Sequence, residues 1–146
     1  MTTIAANRTS MAADSKVTDG GVSYNTDKIF EINGSLVGVA GDVSYTNQWM
    51  EWFAAGCPDG AGSLGKKSFC ALVLSPKGLF YYPDRCKPDT ILNDFYGIGA
   101  GAMAAATAMH LGKTPTEAVE IACVVNATDS GPPVKTLELP AKRGRR

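Results

Sequence analysis

The sequence predicts an α+β protein built as a layered sandwich, with helices covering two stacked antiparallel sheets. Three observations predict it. Short strand-like runs separated by turn residues fill the first forty positions, strands resume after a first helix, and two helices followed by a last strand close the chain. Its 146 residues fit one domain. A domain of that size buries roughly 68–70% of its unfolded surface, so neither a disulfide nor a metal is needed to hold it.

Each element has its own local signal. Thr2 to Ala6 and Met11 to Ala13 flank Asn7-Arg8-Thr9-Ser10, a hairpin connection. Val17 and Val22 flank Asp19-Gly20-Gly21. Lys28 to Ile32 meets Ser35 to Val39 across Asn33-Gly34, the strongest short hairpin signal in the chain, so these forty residues read as a meander. A helix begins at Gly41-Asp42-Val43-Ser44, where Asp42 or Ser44 can accept from the open N–H groups of the first turn. Its apolar face is Tyr45, Trp49, Trp52 and Phe53, and Gly56 with Pro58 ends it. Cys57 to Lys67 reads as loop. Phe69 to Leu74 and Leu79 to Tyr82 are strands around Ser75-Pro76-Lys77-Gly78, and Tyr96 to Gly99 is a strand running into a small-residue helix, Gly101 to Leu111. Thr114-Pro115-Thr116-Glu117 is a capping box with Pro at the first helical position, opening a second helix through Val125. Val134 to Leu139 is the last strand. No internal repeat recurs at a fixed period.

Composition excludes several function classes. Lys plus Arg and Asp plus Glu number 14 each, so nothing pulls the chain toward nucleic acid or an anionic membrane, and neither is expected as a partner. The basic end, Lys142-Arg143-Gly144-Arg145-Arg146, reads as a solvated, disordered tail over 140–146, which leaves 1–139 as the single domain. Cys57, Cys70, Cys86 and Cys123 have neither CxxC spacing nor a nearby His, which argues against zinc. No apolar run has signal-peptide length and none reaches about 18 residues, so a soluble, cytoplasmic protein is expected.

The chemistry-bearing residue is Thr2. With Met1 removed it carries a hydroxyl and a free α-amine together, which makes one residue both nucleophile and base. The amine has a reference pKa of roughly 7.7–8.0, so a useful fraction is neutral near neutral pH and able to take the hydroxyl proton. No histidine is needed, and the only one, His110, has no Ser/Cys and Asp arrangement around it. Asp14 ends the second strand, Lys28 begins another, and Gly41 opens the first helix. On their own, Asp14 and Lys28 fit an ordinary surface ion pair, and Gly41 a tight strand-to-helix turn.

The ordered set Thr2-Thr3, Ala-Ala-Asp14-Ser, Lys28-Ile-Phe-Glu-Ile-Asn, Gly-Val-Ala-Gly41-Asp, Tyr-Gly-Ile-Gly-Ala100-Gly and Lys-Thr-Leu-Glu-Leu resembles the proteasome β-subunit and HslV-type family of N-terminal nucleophile hydrolases. The resemblance implies a four-layer αββα sandwich and roles for these positions. Thr2 Oγ would attack a scissile carbonyl with its own amine as base. Lys28 would disfavour protonation of that amine and favour the alkoxide-like state, with Asp14 holding Lys28. The Gly41 N–H would donate to the developing oxyanion. Ala100 stands where the family carries a serine hydroxyl near the amine, and a family acid aligns with Ala127, with Asp129 and Ser130 close by. The family's second central helix is absent, since the first runs directly into Cys57-Pro58-Asp59-Gly60. A monovalent or divalent cation on the backbone carbonyls of Val124, Ala127 and Ser130 is implied by position, although no cofactor is required.

A threonine peptidase acting on peptides or unfolded proteins is therefore expected. Homo-oligomeric rings and an ATPase unfoldase partner are implied by the resemblance alone. The rival within the same fold is a catalytically degenerate subunit serving assembly or interaction, which Ala100 and the shortened helical layer suit. A second rival takes Gly97-x-Gly99-x-Gly101 as a phosphate-binding turn. Its third glycine comes one residue early and the following acids, Glu117 and Glu120, lie within a helix.

Overall fold

Turn chemistry places the first three hairpins. In the computed structural model, which describes residues 2–65 and 69–140, β1 (Thr3–Ala6) and β2 (Ser10–Ala13) join through Asn7, whose Oδ1 accepts from the Thr9 and Ser10 N–H groups at 2.9 and 2.8 Å. β3 (Lys16–Asp19) and β4 (Val22–Asn25) form the second hairpin. β5 (Ile29–Ile32) and β6 (Ser35–Gly41) form the third, with Asn33 and Gly34 at φ 52° and 79°, the paired left-handed geometry of a two-residue hairpin turn. The sequence reading of the first forty residues as a meander needs correction: the three hairpins enter three different sheets.

The remaining elements are α1 (Val43–Ala54), β7 (Phe69–Ser75), β8 (Gly78–Tyr82), β9 (Asp89–Ile91), β10 (Tyr96–Gly99), α2 (Ala102–His110), α3 (Pro115–Val125) and β11 (Lys135–Glu138). One sheet runs β10-β1-β2-β11, another β5-β6-β7-β8-β9, and β3-β4 is a separate ribbon. All pairings are antiparallel, with Thr3 opposite Gly99 and Ala13 opposite both Ile4 and Lys135.

The period of two in these strands divides the side chains among three cores. Ile4, Ala6, Met11 and Ala13 face Leu36, Leu72, Leu74 and Leu79 between the two sheets. Ala5 and Ala12 point the other way, onto Ala105, Met109, Ala118 and Val119 of α2 and α3. Val37, Val39, Ala71 and Val73 turn toward Trp49 of α1. Helices, sheet, sheet and helix make the four layers of an αββα sandwich.

Both predicted caps form. Asp42 accepts from the Ser44 N–H at 2.9 Å, and Thr114 and Glu117 complete a reciprocal capping box. Among the described residues, the outer layer over β6 to β8 holds α1 alone. Described as far as Gly65, the following segment is irregular and is pinned by Asp84, which accepts from Ser63 Oγ at 2.6 Å and the Leu64 N–H at 2.8 Å. Leu64 is thereby buried with Trp49 and Tyr82. Residues 141–146 of the predicted tail lie outside the described residues. No described helix is long and apolar enough to cross a membrane.

Candidate active site

The site grows from the end of β2. Antiparallel pairing with β1 and β11 carries the chain inward, so the next residue, Asp14, is 1% exposed; Lys28, just before β5, is 6% exposed. Their ion pair spans 3.0 Å. It is not the solvated pair that the residue types alone would suggest. Asp14 Oδ1 accepts from Lys28 Nζ and also from the Thr3 backbone N–H at 2.9 Å. Its Oδ2 accepts from the backbone N–H groups of Lys16 at 3.2 Å and Gly131 at 3.1 Å. Four donors thus compensate a buried carboxylate that would otherwise be expensive to keep charged. Lys28 Nζ donates further to the Lys16 carbonyl at 2.6 Å. Burial pulls the Lys28 pKa below its ordinary 10.5, and the hydrogen bond and charge of Asp14 oppose that shift.

Thr2 and Thr3 are gripped from the opposite side by the turn between β10 and α2. A Cβ on Gly99 would lie 2.0 Å from the Thr2 carbonyl oxygen, and one on Gly101 would lie 1.9 Å from Thr3 Oγ1. Glycine is the only residue that lets this turn close on the chain start. The Gly101 N–H reaches the Thr2 carbonyl at 3.5 Å. Thr3, wholly buried, shares a hydrogen bond of 2.5 Å between its hydroxyl and that of Ser130.

The structure therefore gathers Asp14, Lys28 and Ser130 around the residue that follows Thr2. Thr2 itself is half-buried at the entry to β1. Gly41 does not begin the helix; it ends β6, opposite Phe69, exposed and at φ 128°, and the helix starts after the Asp42 cap. Ala100 is exposed on the turn that holds Thr2. Asp129 is half-buried, and its N–H donates to the Asn126 carbonyl at 3.1 Å. Val124 is 80% exposed. The Ala127 carbonyl, one of three expected on a cation, accepts from Lys16 Nζ at 3.0 Å. A metal there would meet that ammonium, and like unit charges 4 Å apart repel by about 4 kcal/mol at an effective dielectric of 20. Among the described residues no cluster of His, Cys, Asp or Glu is arranged to hold a metal.

Three participants carried no sequence signal of their own. Thr3 was visible only as the neighbour of Thr2, Lys16 stood in no motif, and Gly131 only followed Ser130. The Gly97-x-Gly99-x-Gly101 run was legible as unusual; close packing on Thr2 and Thr3 accounts for two of its glycines, which disfavours the phosphate-turn reading.

The four layers and the antiparallel sheets make a proteasome/HslV-like fold, as the likeness to solved structures shows. No family model and no curated protein sequence matches the chain. Solved structures do. The chain is similar to Thiobacillus denitrificans BPH, with a TM-score of 0.73 and 18% identity over 96% of this chain and 100% of that one. BPH in complex with epoxomicin gives 0.71 and 18% over 95% and 98%. Eukaryotic HslV from Trypanosoma brucei gives 0.69 and 20% over 93% and 99%.

Proposed function

We propose that this protein is an N-terminal threonine peptidase cleaving peptide bonds of peptides or unfolded proteins. One observation carries the reading: a single buried oxygen, Asp14 Oδ1, receives both the Lys28 ammonium and the first backbone N–H after Thr2. A carboxylate shared in this way fixes the cation relative to the nucleophile-bearing residue. With Met1 removed, the Thr2 amine takes the proton from Oγ as Oγ bonds to the scissile carbonyl carbon. The Gly41 N–H would stabilise the oxyanion. Collapse breaks the C–N bond, the amine passes its proton to the leaving nitrogen, and water then hydrolyses the ester to free Thr2. A positive charge on Lys28, linked to the Thr3 N–H through Asp14, would keep the freed amine proton-poor.

Homo-oligomeric assembly, an ATPase unfoldase partner and a cytoplasmic location belong to the same reading. The last is supported by four free thiols, as expected in a reducing compartment. The degenerate-subunit reading is favoured by Ala100, which offers no hydroxyl beside Thr2. That missing hydrogen bond is worth roughly 0.5–1.5 kcal/mol, about a tenfold rate effect rather than a total loss.

The deciding experiment uses protein whose Thr2 terminus has been established by mass spectrometry. Hydrolysis of short fluorogenic peptides is expected, abolished in Thr2→Ala, together with a covalent adduct on Thr2 from epoxomicin, the compound that the Thiobacillus relative binds. No turnover and no adduct on a confirmed Thr2 terminus would transfer the assignment to the degenerate subunit.

A further inference from the structure

The segment after α3 must be held against Asp14, because the Gly131 N–H and the Ser130 hydroxyl both reach the site from it. The end of that helix has an electrostatic need of its own. Carbonyls at a helix C-terminus carry partial negative charge and favour a cation nearby. α3 has no basic residue in its last turn. Lys16 supplies one just beyond the helix: its Nζ donates at 3.0 Å to the carbonyl of Ala127, which follows the Asn126 cap. The rest of the same residue is used as well. Its N–H donates to Asp14 Oδ2, its carbonyl accepts from Lys28 Nζ, and its side-chain methylenes lie against Gly131, where an added Cβ would stand 2.9 Å from Lys16 Cδ. The preceding Ser15 N–H donates to the Gly131 carbonyl at 3.1 Å.

We propose that Lys16 is a tethered cation: its ammonium takes, at the Ala127 carbonyl, the place in which a bound metal ion was expected, and clamps residues 127–131 onto the Asp14–Lys28 pair. Lys16 is thus a positioning residue, and the segment keeps its geometry without added metal. This follows from the packing of Lys16 and holds whether or not the protein is a peptidase.

The test compares wild type, Lys16→Met, which keeps the stem without the charge, and Lys16→Arg, which keeps the charge. Thermal midpoints are measured in EDTA, then with potassium or magnesium chloride, against choline chloride at equal ionic strength. Amide exchange at Gly131 is followed in parallel. The wild-type midpoint is expected to be indifferent to the metal ions. Lys16→Met is expected to fall by about 2–4 °C, with Gly131 exchanging roughly fivefold faster, and Lys16→Arg to recover both. A saturable rise of the wild-type midpoint with either metal, beyond the choline control, would overturn the proposal without any variant. So would a Lys16→Met protein that matches wild type in midpoint and exchange.

Discussion

Asp14 organises this site because it accepts from four donors supplied by four different stretches of chain. Removing one partner of a buried pair leaves an uncompensated charge at a cost of about 3–5 kcal/mol, so Lys28→Met is expected to destabilise markedly near pH 7. The pH dependence separates the cation from its packing. Lys28 has a folded pKa below 10.5, chiefly through burial, with Asp14 opposing and the Cys123 thiol as a further facing group. Between that lowered value and 10.5 the unfolded chain binds more protons than the folded one, so this group makes stability rise with pH and withdraws that gain as pH falls. Tyr81 acts with the opposite sign: burial and the neighbouring Cys70 push its hydroxyl up to about 12, so its contribution is lost as pH climbs past 10. Comparing two proteins that both keep Tyr81 cancels it. In urea denaturation from pH 7 to 10.5, wild type is expected to gain on Lys28→Met as pH rises; a flat difference would remove the buried-cation argument. Asp14 and Lys28 were legible as candidates from residue type and order. Their burial was not, because it depends on strands that pair from opposite ends of the chain.

At the scale of elements, local chemistry was read most accurately where the signal is closed within a few residues. The Asn33-Gly34 turn, the Asp42 cap and the Thr114 capping box all form as expected, since each hydrogen bond links residues at most three positions apart. The box should be felt directly: Thr114→Ala is expected to lower stability by about 0.5–2 kcal/mol in equilibrium denaturation, and no measurable loss would show that α3 is held by packing alone. β9 escaped prediction because Asp89, Thr90 and Ile91 show no periodicity of their own and become a strand only by pairing with β8. Gly41 shows the same limit. Its neighbour Asp42 marks the helix start, yet only pairing with Phe69 of β7 makes Gly41 the end of a strand.

For the whole molecule, the distinctive feature among the described residues is an outer layer of one helix, α1. Trp49 is fully buried at its centre, stacked on Phe53 with centroids 5.0 Å apart and edge-on to Tyr82 at 5.2 Å. Its indole N–H donates to the Asp84 carbonyl at 3.2 Å, and Asp84 also pins the irregular segment carrying Leu64. One aromatic residue therefore joins helix, sheet and loop. Trp49→Ala is expected to cost about 3–5 kcal/mol in urea denaturation, with the loop from Cys57 to Gly65 becoming open to proteolysis. A loss below 1 kcal/mol would mean that this layer is held from elsewhere.

The sequence by itself determined the α+β class, the hairpin turns and the helix caps, because periodicity, caps and turn geometry are written in neighbouring residues. Tertiary structure alone decided which hairpin joins which sheet, that Asp14 and Lys28 are buried together, and that Thr3, Lys16 and Gly131 converge on them. The physical reason is distance along the chain: the hydrogen bond between Thr3 and Ser130 links residues 127 positions apart, and no local preference of either one specifies the other.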